Sequence, residues 1–185
     1  MKTLPDIIHP FWGKIFDSRG NGYSSPVGFS HAFFGEKTHS VYLGHHDISH
    51  TPNYIKAHPD EYYKPIAPIL GEDYCLLDEF AATYTHFLSN IDAHIRQLQD
   101  GVYAIFTTHL KPQLPDIYET YPIIETREQH DEHISHLADI RLLPGGYIDM
   151  IFYYDLIPAP VFNVTFRDGV MLDPLGYRED LQANE

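Results

Sequence analysis

The sequence predicts an α+β fold, with antiparallel β-strands from both chain ends packed on a long central helix and a short second helix. Three observations lead there. Residues 76–105 carry apolar side chains at steps of three and four, the mark of one buried helix face. Segments on either side show strand patterning bounded by turn formers. Aromatic residues, 14 Tyr, 11 Phe and 1 Trp, supply the bulk that a β-rich core needs. At 185 residues the chain is expected to form one domain over 1–185, with a His- and Pro-rich surface excursion at 44–75.

Phe11-Trp12-Gly13-Lys14-Ile15-Phe16 reads as a short aromatic strand, ended by the turn formers of Asp17-Ser18-Arg19-Gly20-Asn21-Gly22. Strands at 27–34 and 37–43 follow around a Gly35-Glu36 hairpin, and in the second Val41 and Leu43 alternate with Ser40 and Tyr42. Pro52, Pro59, Pro65 and Pro68 exclude a long helix from the next stretch, since each removes a donor and restricts the residue before it.

The helical stripe then runs Leu77, Phe80, Tyr84, Leu88, Ile91, Ile95, Leu98, Val102, Ile105. A continuous helix of that span would be about 45 Å long, so a break is expected, either at Ser89-Asn90 with Ser89 and Asp92 as a cap, or at Asp100-Gly101. The stripe is read as core and not as a cofactor groove. Residues 111–122 read as a Pro-interrupted connection, and 126–137 as a short polar helix opened by a Thr126/Gln129 capping box. Strands at 139–143 and 147–154 flank the turn Pro144-Gly145-Gly146. A strand at 161–167 turns at Asp168-Gly169, which suits a type I′ hairpin, and Val170-Met171-Leu172 returns.

Composition excludes several functions. Lys+Arg number 12 against 26 Asp+Glu, a net charge of −14, and a nucleic-acid binder or a protein docked on anionic lipid needs the opposite balance. The 13 histidines would bring the chain close to neutrality if all were protonated, so its charge-dependent binding should change between about pH 7 and 5. The lone Cys75 rules out an intrachain disulfide framework. No uncharged apolar run approaches about 18 residues and the first six lack a leader's apolar core, so a soluble cytoplasmic protein is expected.

Candidate chemistry is sparse. His130, His133 and His136 fan around the expected second helix without the H-E-x-x-H spacing of a zinc site, and are read as a solvated polar face. His45, His46, Asp47 and His50 form a loop cluster that would suit a metal-binding protein or a metal-dependent hydrolase, but nothing adds a further ligand and no metal is expected. Cys75 sits beside Glu72 and Asp73, which would raise its pKa and argue against a nucleophile. No G-x-S-x-G elbow and no phosphate-binding glycine loop occurs. The expectation is a protein that is not an enzyme and carries no cofactor.

His9-Pro10-Phe11-Trp12-Gly13-Lys14-Ile15, Phe33-Phe34-Gly35-Glu36, Phe87-Leu88-Ser89-Asn90-Ile91, Phe152-Tyr153-Tyr154-Asp155 and Val164-Thr165-Phe166-Arg167-Asp168-Gly169 occur in that order. They resemble a group of uncharacterised bacterial domains with an HP-aromatic-aromatic-GK opening and an F-x-Y-D…V-x-F-x-D-G closing hairpin. Several members of that group stand among candidate immunity proteins of polymorphic toxin and contact-dependent inhibition systems. The resemblance covers most of the chain in outline and departs from it in the 44–70 loop. It implies a cytoplasmic immunity protein that neutralises a toxin domain, and no catalytic residue is carried over. A housekeeping interaction module with no toxin partner is the other reading the sequence leaves open.

An acidic protein suits a basic partner, since opposite charge speeds encounter. The expected partner-binding residues are Asp116, Tyr118, Glu119, Tyr121, Glu125, Glu128, Asp131 and Glu132, acidic positions with two tyrosines as aromatic anchors, against the single base Arg127. A second acidic stretch lies at 60–79.

Overall fold

A computed structural model describes residues 7–17, 23–44, 74–117, 121–156 and 161–172. The fold is α+β. Among these residues the strands are β1 (Ile8–His9), β2 (Gly13–Lys14), β3 (Phe16–Asp17), β4 (Tyr23–Phe29), β5 (His39–Leu43), β6 (Ile134–Leu143), β7 (Tyr147–Tyr154), β8 (Val161–Arg167) and β9 (Val170–Met171). Helices α1 (Leu76–Ser89), α2 (Ile91–Ile105), α3 (Leu114–Ile117) and α4 (Arg127–Asp131) lie between β5 and β6. β1 and β2 form a small hairpin, and β3 to β9 form one sheet in sequence order.

Every neighbouring pair in that sheet is antiparallel except β5–β6, which is parallel, with Val41 opposite Ile140 and Leu43 opposite Leu142. Parallel neighbours need a crossover connection. The chain between them carries all four helices, so the helical layer is itself the crossover. Two antiparallel meanders, one from each half of the chain, therefore meet at a parallel seam in the middle of the sheet.

One face of the sheet takes the helices. Ile140 and Leu142, Ile148, Met150 and Phe152, and Phe162, Val164 and Phe166 are buried in the same core as Leu77, Phe80, Tyr84 and Phe87 of α1 and Ile95, Leu98 and Val102 of α2. The α1 stripe uses Phe87, and Leu88 is left exposed. Near the amino terminus Trp12 is wholly buried, and its indole N–H donates to the Leu77 carbonyl at 3.0 Å, pinning the β1–β2 hairpin to α1.

Several elements differ from the sequence expectation, each for a physical reason. Residues 11–16 are two short strands and a turn, because the chain folds back at residues 10–12 to tuck Trp12 inward. The 27–34 strand ends at Phe29, and Ala32–Phe34 form a 3-10 turn whose first turn is held by Phe33 N–H donating to His31 Nδ1. The helix break falls at Asn90, where φ is −125°; Ser89 does not cap α2 but donates its hydroxyl back to the His86 carbonyl. No break occurs at Gly101. Its missing side chain makes room for the end of Met171, into which a Cβ would run. Beyond Ile105 the chain stays helical, through a π turn at Phe106–Leu110 and a 3-10 turn at Lys111–Gln113. Pro112 stands in the first turn of the 3-10 segment and Pro115 in the first turn of α3, the positions at which proline's fixed φ fits best.

The short second helix opens with the expected Thr126/Gln129 capping box but ends at Asp131, and residues 134–137 belong to β6. Ile134, Leu137 and Ile140 are three apart, a helix-like period, yet all three are buried on one sheet face. Register shifts between 134 and 136 and between 137 and 139 insert the extra residues that make this spacing fit a pleat. Among the described residues no helix is long and apolar enough to cross a membrane.

Candidate functional site

The expected interaction surface is built on residues 121–132. Residues 121–125 run without regular structure into α4, and of them Ile124 alone is buried: Ile123 is 80% exposed, Ile124 3%, and Glu125 is exposed again. Burying Ile124 therefore turns Ile123 and Glu125 outward together. The segment is held from behind, with Lys111 Nζ donating to the Ile124 carbonyl at 2.7 Å and the Tyr103 hydroxyl to the Glu125 carbonyl at 3.4 Å. Gln129 Oε1 accepts from Glu125 N–H at 2.8 Å and Thr126 N–H at 3.2 Å, while Thr126 Oγ1 accepts from Gln129 N–H at 3.2 Å. These bonds satisfy donors that a helix start leaves open.

Tyr121, Glu125, Glu128 and Glu132 are exposed as expected. Glu128 and Glu132 are four apart at the two ends of α4, which puts them on one side of a single turn. The Glu128 carboxyl is held below the usual carboxylate range by its own backbone N–H, then by the Thr126 hydroxyl and, more weakly, by the Arg127 charge. Asp131 is the exception. It is half-buried and turned toward the protein, accepting from Gln99 Nε2 at 2.7 Å and meeting His130 Nδ1 at 3.3 Å, with Arg127 Nε 3.9 Å away. Of the other expected contacts, the Asp116 backbone lies in α3 and its side chain is outside the described residues, as are Tyr118 and Glu119.

His130 is not on a solvated face. It is wholly buried, with Nε2 at 2.8 Å from the Tyr154 hydroxyl and Tyr103 and Phe106 packed around the ring. Burial pushes its pKa down, against the pull of Asp131. An Asp–His–Tyr chain of this kind is competent to pass a proton, but this imidazole is enclosed and reaches no solvent; its effect is to lock α4 onto β7. His133 pairs with Asp155 at 2.7 Å, and His136, on β6, stacks on Tyr153. The three histidines thus go to three different places. The His45/His46/Asp47/His50 loop lies outside the described residues, among which no group of three His, Cys, Asp or Glu side chains converges as metal ligands would. Cys75 is exposed just before α1.

Sequence reasoning passed over Asp149, the acid at the centre of the apolar β7 strand. It is wholly buried on the sheet face opposite the helices, where Thr165 Oγ1 donates to its Oδ1 at 2.6 Å. Burial raises its carboxyl to about 7, against the Thr165 hydroxyl and the Arg141 charge. The one available signal was an aspartate inside a strand that is otherwise almost continuously apolar.

No protein-family model, no curated protein and no solved structure matches this chain.

Proposed function

We propose that this chain is a non-enzymatic immunity protein, acting in the cytoplasm, that binds a basic toxin domain and neutralises it by covering its active site or substrate path. The observation that supports this reading most is the exposure of Ile123 and Tyr121 in the same segment as Glu125, Glu128 and Glu132, its backbone held by the Lys111 and Gln129 side chains. A large aliphatic side chain exposed to water on a segment rich in exposed carboxylates suits an interface with an apolar anchor and a charged rim. The fixed backbone lowers the ordering cost of binding. The net charge of −14 directs such a surface toward a cationic partner.

The reading requires a neighbouring gene for a toxin C-terminal domain. Mixing the purified domain with this protein should give a stable complex and abolish the toxin's activity, with association slowing as salt rises. No complex with that neighbour's product at micromolar concentrations overturns it.

A further inference from the structure

On the sheet face turned away from the helices, strand pairing lines up a row of polar side chains. Tyr42 on β5 stands opposite Arg141 on β6, Arg141 opposite Asp149 on β7, and Asp149 opposite Thr165 on β8. Asp139, two residues before Arg141 on β6, points to the same face. The β6–β7 ladder therefore brings one guanidinium and two carboxyls together, next to the parallel seam. All three are largely out of water. Asp149 is wholly buried, and the Arg141 and Asp139 side chains are 9% and 17% exposed.

The guanidinium is only partly used. Arg141 Nε donates to Asp139 Oδ1 at 3.0 Å and Nη2 to Asp139 Oδ2 at 3.5 Å, which occupies one edge of the fork. Nη1 is buried without a hydrogen-bond partner, and so is Asp149 Oδ2. Directly opposed residues on neighbouring strands hold their Cβ atoms about 5 Å apart, well within the reach of an arginine side chain. Around Asp149 stand Thr165 and Asn163 from β8 and, as charges, Arg141 and Asp139 from β6. The Thr165 hydroxyl donates to Oδ1 at 2.6 Å, so the proton of the neutral acid belongs on Oδ2. In that state Oδ2–H and Nη1–H are two donors on facing residues, and the fork turns away to Asp139.

We propose that Arg141 is a proton-controlled latch: when Asp149 releases its proton to solvent, Nη1 closes on Asp149 Oδ2 while Nε stays on Asp139, and the three side chains form one bridge across β6 and β7. The ionised acid presents an acceptor where the neutral acid presented a donor, and a guanidinium has donors on both edges with which to hold two carboxylates at once. Burial holds the Asp149 proton to about 7, so the exchange falls near neutral pH, where a small change in acidity shifts the balance. Arg141 is also the β6 partner of Tyr42 on β5. The latch therefore acts at the joint between the two meanders. It uses no residue of the surface around Ile123 and stands independently of the toxin reading.

The test follows both partners by NMR in isotope-labelled protein between pH 5.5 and 8.5. The Asp149 carboxyl carbon and the Arg141 Nη nitrogens should titrate together, with one midpoint near 7. Asp149→Asn should leave the Arg141 signals flat over that range, with the dispersed amide spectrum of the folded protein retained. Asp139→Asn removes the competing acceptor and a like charge, and should lower the Asp149 midpoint by about one pH unit, a tenfold loss of proton affinity. Arg141 signals that stay fixed while Asp149 titrates overturn the latch, and so does an Arg141 titration that persists in Asp149→Asn. An Asp149 midpoint unchanged or raised in Asp139→Asn also overturns it, as does a carboxyl that does not titrate in this window. The titration of the parent protein decides the matter even where a variant fails to fold.

Discussion

Arg141 and Asp149 face each other directly across the β6–β7 ladder, yet the Arg141 guanidinium turns along its own strand to Asp139, at 3.0 Å, and forms no ion pair with Asp149. Arg141 Nη1 and Asp149 Oδ2 are both buried and have no hydrogen-bond partner among the described residues. Asp149 has the Thr165 hydroxyl as its close donor and a weaker side-chain bond with Asn163. These bonds do not replace the water a carboxylate gives up on burial, and the proton is therefore retained to about pH 7.

A pH dependence follows. The folded protein holds the Asp149 proton to about 7 while the unfolded chain releases it near 3.8. Stability contributed by this group is therefore present below 3.8 and lost as pH rises through 7, by up to about 4 kcal/mol. Asp149→Asn keeps an acceptor for Thr165 and cannot ionise. Relative to the parent protein it should gain stability steadily from pH 4.5 to about 7 and level off above that in urea unfolding. A difference that stays flat across that range would show the carboxyl to be ionised throughout.

Three buried histidines act in the opposite direction. Desolvation lowers the pKa values of His39, His94 and His130 from 6.5. Each folded pKa lies below the unfolded one, so the unfolded chain takes up more protons and stability falls as pH drops below 6.5. His130→Gln retains a side chain able to hydrogen-bond Tyr154 but removes one of these titrations. Its unfolding midpoint should fall less steeply between pH 6.5 and 5 than that of the parent protein, and parallel slopes would count against the assignment.

Asp131 and Glu132 are neighbours in sequence with opposite consequences. Asp131→Asn weakens the contacts with His130 and Arg127 beneath α4, and should cost about 1 kcal/mol or more in stability. Glu132→Lys should leave the melting temperature unchanged and slow association with a basic partner at low salt. Equal stability for the two variants would show that Asp131 is as free as Glu132.

The β8–β9 turn is fixed by backbone chemistry. Asp168 and Gly169 have φ of 50° and 78°, both positive as a type I′ turn requires. A Cβ on Gly169 would also stand 3.2 Å from His94 Nε2. Gly169→Val should therefore lower stability by about 1 kcal/mol or more, and should move the His94 ring signals. A melting temperature equal to that of the parent protein would disprove the turn geometry.

Local chemistry was legible in the sequence itself. Thr126 and Gln129 announce a helix start, Gly145-Gly146 and Asp168-Gly169 announce hairpin turns, and the apolar stripe from Leu77 to Ile105 announces a buried helical face. Each depends on residues within a few positions of one another, so a short window contains the whole cause. The same holds for the exposed acids Glu125, Glu128 and Glu132 of the candidate surface. Ile123 was not read as exposed, because whether it or Ile124 turns inward depends on Lys111 and Tyr103, which approach from another part of the chain.

The tertiary structure alone decided the rest. It made β5 and β6 parallel, turned Asp131 inward, buried Asp149, and converted the helix-like spacing of Ile134, Leu137 and Ile140 into a bulged strand. These outcomes are set by pairing and desolvation between distant segments. Ile134 becomes a strand residue because Tyr154 is there to pair with it, and Asp149 keeps its proton because the folded sheet excludes water from both its oxygens. Neither free energy exists until the partner segments are side by side, and so no local stretch of sequence contains it.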